Sequence, residues 1–273
     1  TSAIGTFGSK PMQPIAITQG DPAGIGPEIV AKAFRDAPDA LRHCFVVSDV
    51  ATVRRAAGVI TRPGVPGVPV AQIAAPGEAA DAPPRCIPVL QLPGIPGAQP
   101  WGEISAAAGR AAGDSVVWAA RAALRGEVAA LVTAPLHKEA LSAAGVDFPG
   151  HTELLQAEAA AHQGVPLAQM PVRMMLANDE LRTVLVSIHV SLRDAIAAVT
   201  QDNVLQTLRI THAALQRSLG RVPRIGVAGL NPHAGEGGLF GREELEVIAP
   251  AIAAARGEGL DVHGPFAPDT AFM

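Results

Sequence analysis

Short runs of apolar, β-branched residues alternate along this chain with longer, alanine-rich segments in which apolar residues recur at helical spacing. This alternation predicts repeated β–α units around a mainly parallel sheet, and therefore an α/β fold class. Strands are predicted at 14–18, 43–48, 86–91, 129–133, 172–177, 183–189 and 224–230. Helices are predicted at 26–36, 48–58, 103–125, 135–144, 152–162, 201–219 and 242–256.

Residues 61–100 interrupt this alternation. They hold 10 of the 24 prolines of the chain, too many for a long helix. We interpret the segment as a surface excursion that carries short edge strands. A length of 273 residues is close to the size at which a single hydrophobic core stops growing, so we expect residues 1–273 to form one unit with two lobes.

Composition narrows the classes of function. Hydrophobic residues make up 48% of the chain, which supports a folded core, and the net charge of -4 supplies no basic field for nucleic acid or an anionic membrane. No run of 18 apolar residues and no secretory signal is visible, so we expect a cytoplasmic location. Cys44 and Cys86 lie in apolar runs and are predicted to be buried, reduced thiols. A small-molecule substrate is the partner that these features favour.

The first candidate for chemistry is the segment 20–28, in which a strand runs through a glycine-rich turn into a helix. The free N–H groups at such a helix start attract an anion, and Asp21 adds a polar group at the end of the strand. The glycine spacing fits neither the dinucleotide fingerprint nor a P-loop. A tight turn without a ligand is an equally good interpretation of this segment.

Two further segments place polar side chains where helices begin. Lys138 follows the strand at 129–133 and could bind phosphate or transfer a proton, although a solvated lysine is the simpler interpretation. His151 and Thr152 follow a Pro-Gly turn. His151 could contact a substrate anion or lie on the surface, and Thr152 could merely cap the helix.

His189 and His233 are the remaining candidates of interest. His189 is predicted to end a strand and His233 to lie in the loop that follows another, so both project from the carboxyl ends of strands, where imidazoles from different strands can converge on one divalent cation. Their separation along the chain matches no local metal-binding motif. Taken singly, each histidine is more often a hydrogen-bonded structural residue.

Six segments occur together in an order that resembles the 4-hydroxythreonine-4-phosphate dehydrogenase, or PdxA, family. They are GDPAGIGPE at 20–28, TAPLHK at 133–138, GHTE at 150–153, HVSLRD at 189–194, GLNPHAGEGG at 229–238 and GPFAPDT at 264–270. Each segment alone is a weak signal, but the probability that all six occur by chance in this order and spacing is very small. The resemblance extends from about residue 14 to residue 273.

The resemblance implies a two-lobed fold like that of isocitrate and isopropylmalate dehydrogenases, with mainly parallel sheets and a cleft between the lobes. It also implies a homodimer with active sites at the subunit interface. The implied reaction is an NAD- or NADP-dependent oxidation of a hydroxyl on a small hydroxy acid, followed by decarboxylation, as in pyridoxal phosphate biosynthesis. A divalent metal is implied, with zinc first and magnesium, manganese or cobalt as alternatives.

The resemblance also implies roles for individual residues. His189 and His233 match the metal ligands, His151 and Thr152 match substrate contacts, and Lys138 and Asp269 lie in motifs that we interpret as catalytic. No residue is assigned to the cofactor. A third metal histidine of the family lies in a Tyr-His-Asp-Gln-Gly motif downstream of the last segment, so we expect residues 1–273 to lack a C-terminal segment of the family.

Several alternatives stay open on the sequence. The segment IHVSLR at 188–193 differs from the THLPLR that is more usual in the vitamin pathway, so the substrate could instead be 4-phospho-D-threonate, 4-phosphoerythronate or the cis-dihydrodiol of terephthalate. A phosphate acyltransferase of related fold would need no metal. An inactive, truncated chain would hold no tightly bound cation.

Overall fold

The computed structural model describes residues 12–61, 64, 67–95 and 97–272. The chain divides into two compact units, Thr1–Pro171 and Val172–Met273. Cys44 and Cys86 are buried and free, as predicted, and burial raises the pKa of both thiols. None of the described helices combines the length and the apolar character needed to cross a bilayer.

The first unit is built on a five-stranded parallel sheet, which confirms the predicted α/β class. Its strands lie in the order β3-β4-β2-β1-β5. They are β1 (Ile15–Thr18), β2 (Cys44–Ser48), β3 (Val70–Ile73), β4 (Ile87–Gln91) and β5 (Ala130–Thr133). The helices are α1 (Gly26–Asp36), α2 (Val50–Val59), α3 (Ala106–Leu124), α4 (Lys138–Ala143) and α5 (His151–Gln163). The proline-rich segment 61–100 supplies the edge strand β3, but it also supplies β4, which is mostly buried and lies between β3 and β2 instead of at an edge.

Both faces of this sheet are covered, which explains why β2 is a continuous apolar run. Successive residues of a strand point to opposite faces. Val46 therefore packs in one apolar cluster with Val30 of α1 and Val53 of α2. Phe45 points to the other face and packs with Ala119 of α3. A parallel sheet that is buried on both faces favours unbroken apolar strands over alternating ones.

The second unit has two small sheets. Strands β6 (Met175–Ala177) and β7 (Arg182–Val184) pair antiparallel, and β8 (Ile225–Ala228) pairs parallel with β9 (Val262–Phe266). The helices are α6 (Leu192–Ala197), α7 (Gln201–Leu219) and α8 (Ala249–Gly257). A loop spans Pro232–Gly238 and a π-helical turn spans Glu244–Ile248. The core joins α7, α8 and β9 through Leu208, Ile252 and Val262.

Two predicted elements of the second unit differ from the structure. The predicted strand 183–189 ends at Val184, because its antiparallel partner β6 is only three residues long and a strand pairs no further than its partner does. His189 therefore does not end a strand. The predicted helix 242–256 begins as the π-helical turn Glu244–Ile248 and becomes α-helical only at Ala249.

The contact between α3 and α4 gives a stability prediction. A methyl group on Gly109 of α3 would overlap the carbonyl oxygen of Ala140 in α4. Gly109→Ala is therefore expected to lower the free energy of unfolding by about 1–3 kcal/mol, the usual cost of overpacking. Urea denaturation measures this change.

Gly58→Ala is the matched control, since a methyl group on Gly58 of α2 would contact nothing within 4 Å. This change removes the entropic cost of a helical glycine, and we expect it to raise the free energy of unfolding by roughly 0.5–1 kcal/mol. Equal effects of the two substitutions would show that the close approach of α3 and α4 is not a packing constraint.

Candidate functional site

Two of the sequence motifs touch at the carboxyl edge of the first unit's sheet. The turn after β1 donates the Asp21 N–H to the carbonyl oxygen of Pro135, in the turn after β5, at 2.9 Å. A side chain on Gly20 would overlap that same oxygen, and Gly20 has φ of 69°. The glycine is therefore required both for the backbone conformation and for the contact between the two turns.

The Asp21 side chain stabilises the turn in which it lies. Its Oδ1 accepts the backbone N–H of Ala23 at 2.9 Å, and the side chain is largely buried. This local hydrogen bond is an Asx-type turn, which supports the simpler of the two interpretations of the segment.

The start of α5 offers free N–H groups. The helix begins at His151, and its N-cap residue is Gly150, which has no side chain to satisfy the first-turn donors. The interpretation of Thr152 as a capping residue is wrong, because Thr152 lies inside the helix, one residue beyond His151. The helix is 13 residues long, and its uncapped N-terminus is a suitable place for an anion such as phosphate.

His151 lies beside these donors as a half-buried imidazole. Burial lowers its pKa, and a hydrogen bond with the backbone of Ala134 only partly offsets that effect. Its Nε2 is buried and has no hydrogen-bond partner among the described residues. The third motif thus reaches the same turn as the first two, since Ala134 directly precedes Pro135.

Lys138 is the first residue of α4 and its side chain is exposed. It makes no ion pair within the part of the chain that the structure describes. Its position, five residues after Thr133 at the end of β5, is the one predicted.

In the second unit, His233 lies in a loop with an unusual backbone. The five residues 233–237 all have positive φ, with values of 54°, 52°, 76°, 41° and 70°. Left-handed conformations cost L-residues about 1–2 kcal/mol each, and three of these residues are not glycine. Strain of this kind persists only where the surroundings impose it, and it is frequent at functional sites.

Asp269 holds the His233 ring. Because β8 and β9 pair in parallel, the segments that follow them meet at one edge. The Oδ2 of Asp269 lies 2.8 Å from Nδ1 of His233, and its Oδ1 accepts the His233 backbone N–H at 3.3 Å. A carboxylate on one ring nitrogen orients the imidazole and leaves Nε2 for a metal ion. The predicted catalytic residue Asp269 is thus a partner of the predicted metal ligand.

His189 lies in the same unit but is not joined to this pair. It is exposed, has φ of 55°, and lies between β7 and α6. No hydrogen bond joins it to His233 or Asp269. Across the described residues, no group of three or more His, Cys, Asp or Glu side chains is arranged to hold a metal ion. The donor chemistry of His189 and His233 fits a divalent cation, since two imidazoles and a supporting carboxylate are ordinary components of such sites.

One residue of the site was not found from the sequence. Glu244 is 2% exposed and hydrogen-bonds the loop that carries His233. In the sequence it lies within GREELEVI, where an acidic residue of an amphipathic helix is normally solvated. No sequence signal distinguishes Glu244 from its acidic neighbours.

Comparison with known proteins gives a family. Residues 40–273 match the family described as pyridoxal phosphate biosynthetic protein PdxA. The chain is 48% identical over 263 residues to a 4-hydroxythreonine-4-phosphate dehydrogenase of Beijerinckia indica subsp. indica, covering 95% of this chain and 73% of that protein. It is 42% identical over 264 residues to a D-threonate 4-phosphate dehydrogenase of Salmonella typhimurium, covering 95% of this chain and 76% of that protein.

A solved structure agrees with these relatives. The crystal structure of a 4-hydroxythreonine-4-phosphate dehydrogenase from Klebsiella pneumoniae superimposes with a TM-score of 0.84 at 40% sequence identity. The superposition covers 96% of this chain and 77% of that one. This chain therefore has the fold of the matching part of that enzyme.

The burial of His151 gives a titration prediction. Its folded-state pKa should lie below the ordinary value of about 6.5, so the ring is neutral at pH 7. As the pH falls through the interval between 6.5 and the folded pKa, the unfolded chain binds a proton that the folded chain does not, and stability decreases. NMR titration of the imidazole, assigned with His151→Gln, measures the pKa. A value at or above 6.5 would contradict the burial argument.

Proposed function

The chain belongs to the PdxA family of pyridoxal phosphate biosynthetic proteins, and we propose that it is an NAD-dependent dehydrogenase of 4-phosphohydroxy-L-threonine. The reaction oxidises a substrate hydroxyl and then releases the neighbouring carboxylate as CO2. The observation that carries this proposal is the 48% identity to a 4-hydroxythreonine-4-phosphate dehydrogenase over 95% of the chain.

The start of α5 is the proposed binding site for the substrate phosphate. The uncapped N–H groups and the helix dipole attract a dianion, and the Thr152 hydroxyl can donate a further hydrogen bond. The neutral His151 ring is hydrogen-bonded to the Ala134 backbone through its other nitrogen, so the unpartnered Nε2 is an acceptor that suits a substrate hydroxyl and not a phosphate oxygen. These residues bind and orient the substrate, and they add no net positive charge of their own.

His189 and His233 would hold the divalent cation, with Asp269 fixing the tautomer of His233. Zinc is the first choice, because imidazole nitrogen suits zinc better than it suits magnesium, which prefers oxygen ligands. Bound NAD, or NADP, would supply the hydride acceptor, and a cation held by these residues would lower the pKa of a coordinated substrate hydroxyl.

Lys138 is proposed to transfer a proton or to bind a substrate anion. The lysine lies at the carboxyl edge of the sheet, close in sequence to the turn at Pro135, and no carboxylate of the described chain neutralises it. An ammonium in this position can donate a proton to the carbon that loses CO2, or it can bind a substrate anion.

D-threonate 4-phosphate is the second candidate substrate. The 42% identity to a dehydrogenase of that compound favours it, and the start of α5 suits the phosphate of either molecule. A terephthalate cis-dihydrodiol would offer carboxylates to the same donors. The selectivity of the protein among the three substrates therefore depends on substrate groups other than the phosphate or carboxylate that binds at the start of α5.

A second copy of the chain is the proposed protein partner, and the cytoplasm is the proposed location. Several large apolar side chains of the second unit are exposed, among them Leu192 at 80% and Leu239 at 73%. Exposed apolar surface of this kind supports an interface with another chain. The two free cysteines and the use of NAD suit a reducing compartment.

The proposed activity is tested by following NADH absorbance with three substrates: 4-phosphohydroxy-L-threonine, 4-phospho-D-threonate and the terephthalate dihydrodiol. We expect the first to react fastest, and we expect treatment with a chelator to abolish the reaction until zinc is restored. The absence of metal-dependent NAD reduction with all three would contradict the proposal. Acyl transfer to phosphate at full rate in chelator would support the acyltransferase alternative instead.

The metal assignment is tested with His233→Ala. Loss of the ligand is expected to weaken zinc binding by roughly 100-fold or more, measured by competition with a chromophoric chelator. His263→Ala is the matched control, because His263 also pairs with a carboxylate, Asp261, at 2.7 Å but lies in β9. Equal losses in the two variants would argue against a specific role for His233.

A further inference from the structure

We propose that Glu244 is a positioning residue, which sets the backbone of the loop 231–238 so that His233 can face a cation while Asp269 holds its ring. This inference rests on the proposed function for the role of His233. The observations that carry it are the burial of Glu244, its hydrogen bonds and the shape of the loop around it.

The carboxylate of Glu244 binds the start of the loop at three points. Its Oε1 accepts the backbone N–H groups of Leu230 and Asn231, both at 2.7 Å. Its Oε2 accepts the side-chain amide of Asn231 at 3.0 Å. Both carboxylate oxygens are thus used to fix residues that directly precede Pro232 and His233.

The loop also winds closely around this carboxylate. A methyl group on Gly235 would lie 2.7 Å from Oε2 of Glu244, and one on Gly229 would lie 3.0 Å from Oε1. Glycine at these two positions lets the backbone approach the acid from both sides. Glu244 is therefore the point around which the left-handed residues turn, and it does not merely cap one end of the loop.

The contacts favour the ionised acid over its neutral or amide forms. Burial alone would raise the pKa of Glu244, but the hydrogen bonds from Asn231 and Leu230 outweigh burial and hold the pKa below its ordinary value. A glutamine would point its own N–H groups at the Asn231 amide, and two donors would then face each other. Asn231 cannot turn to relieve this conflict without losing its hydrogen bond to Glu243, at 2.7 Å.

The position of His233 depends on the conformation of the loop that Glu244 holds. Three non-glycine residues of the loop, His233, Ala234 and Glu236, have positive φ, and nothing in their own sequence favours that conformation. When Glu244 no longer holds the first residues of the loop, the strained backbone can relax and the His233–Asp269 pair loses its fixed geometry. The ligand then stays in the sequence but is no longer pre-organised for a metal ion.

The test compares Glu244→Gln with Glu246→Gln in the whole protein. Glu246 lies in the same π-helical turn but is exposed and pairs with Arg242, so its substitution leaves the loop untouched. Cobalt(II) serves as the probe, since its visible spectrum reports ligand geometry. We expect Glu244→Gln to weaken cobalt binding by at least about tenfold and to alter the spectrum. We expect Glu246→Gln to match the wild type.

Hydrogen exchange supplies a readout that needs no metal. The amides of Leu230 and Asn231 should exchange at least about tenfold faster in Glu244→Gln, while the amides of the α7 core keep their protection. Unchanged cobalt affinity and spectrum in Glu244→Gln would overturn the proposal, whatever the exchange rates. If the wild type binds no cation, the proposed function fails, and the exchange rates alone decide whether Glu244 holds the loop.

Glu244→Asp provides a second test in case Glu244→Gln does not fold. It keeps the charge but shortens the side chain by one methylene, so we expect cobalt affinity between that of the wild type and that of Glu244→Gln. If Glu244→Gln does not fold, a loss of about threefold or more in Glu244→Asp supports the positioning role. Wild-type affinity in Glu244→Asp would then contradict it.

Discussion

The candidate metal site depends on a backbone that ordinary L-residues avoid. Residues 233–237 run through left-handed conformations, and the chain adopts them because a buried carboxylate takes up the N–H groups that enter the loop. The same conformation presents the His233 ring to Asp269. Strain in the loop, the hydrogen bonds of Glu244 and the orientation of one imidazole are therefore parts of a single arrangement.

In the first unit, the candidate site depends on the close approach of two turns instead of on a buried carboxylate. Parallel strands bring their carboxyl ends to one edge, and glycine at position 20 lets the turn after β1 meet the turn after β5. His151 reaches this place through the backbone of Ala134, and the uncapped start of α5 adds N–H donors beside it. The proposed anion site of this unit is therefore made largely of backbone groups.

Sequence patterns were informative wherever one local feature decides the structure. The run CFVVS predicted a buried strand because both faces of a parallel sheet are covered. Patterns were misleading where pairing or burial depends on distant residues. The apolar run at 183–189 stops pairing where the short strand β6 stops, and Glu244 looks like any solvated acid until the loop that it binds is in place.

The proposed site requires that His189 and His233 bind one and the same cation. The most direct measurement is anomalous diffraction from crystals of the protein grown with zinc. We predict a single peak about 2.0–2.2 Å from an imidazole nitrogen of each of the two histidines, with Nδ1 of His233 still on Asp269. A peak that lies on neither histidine, or one bound through Nδ1 of His233 with Asp269 displaced, would contradict the account.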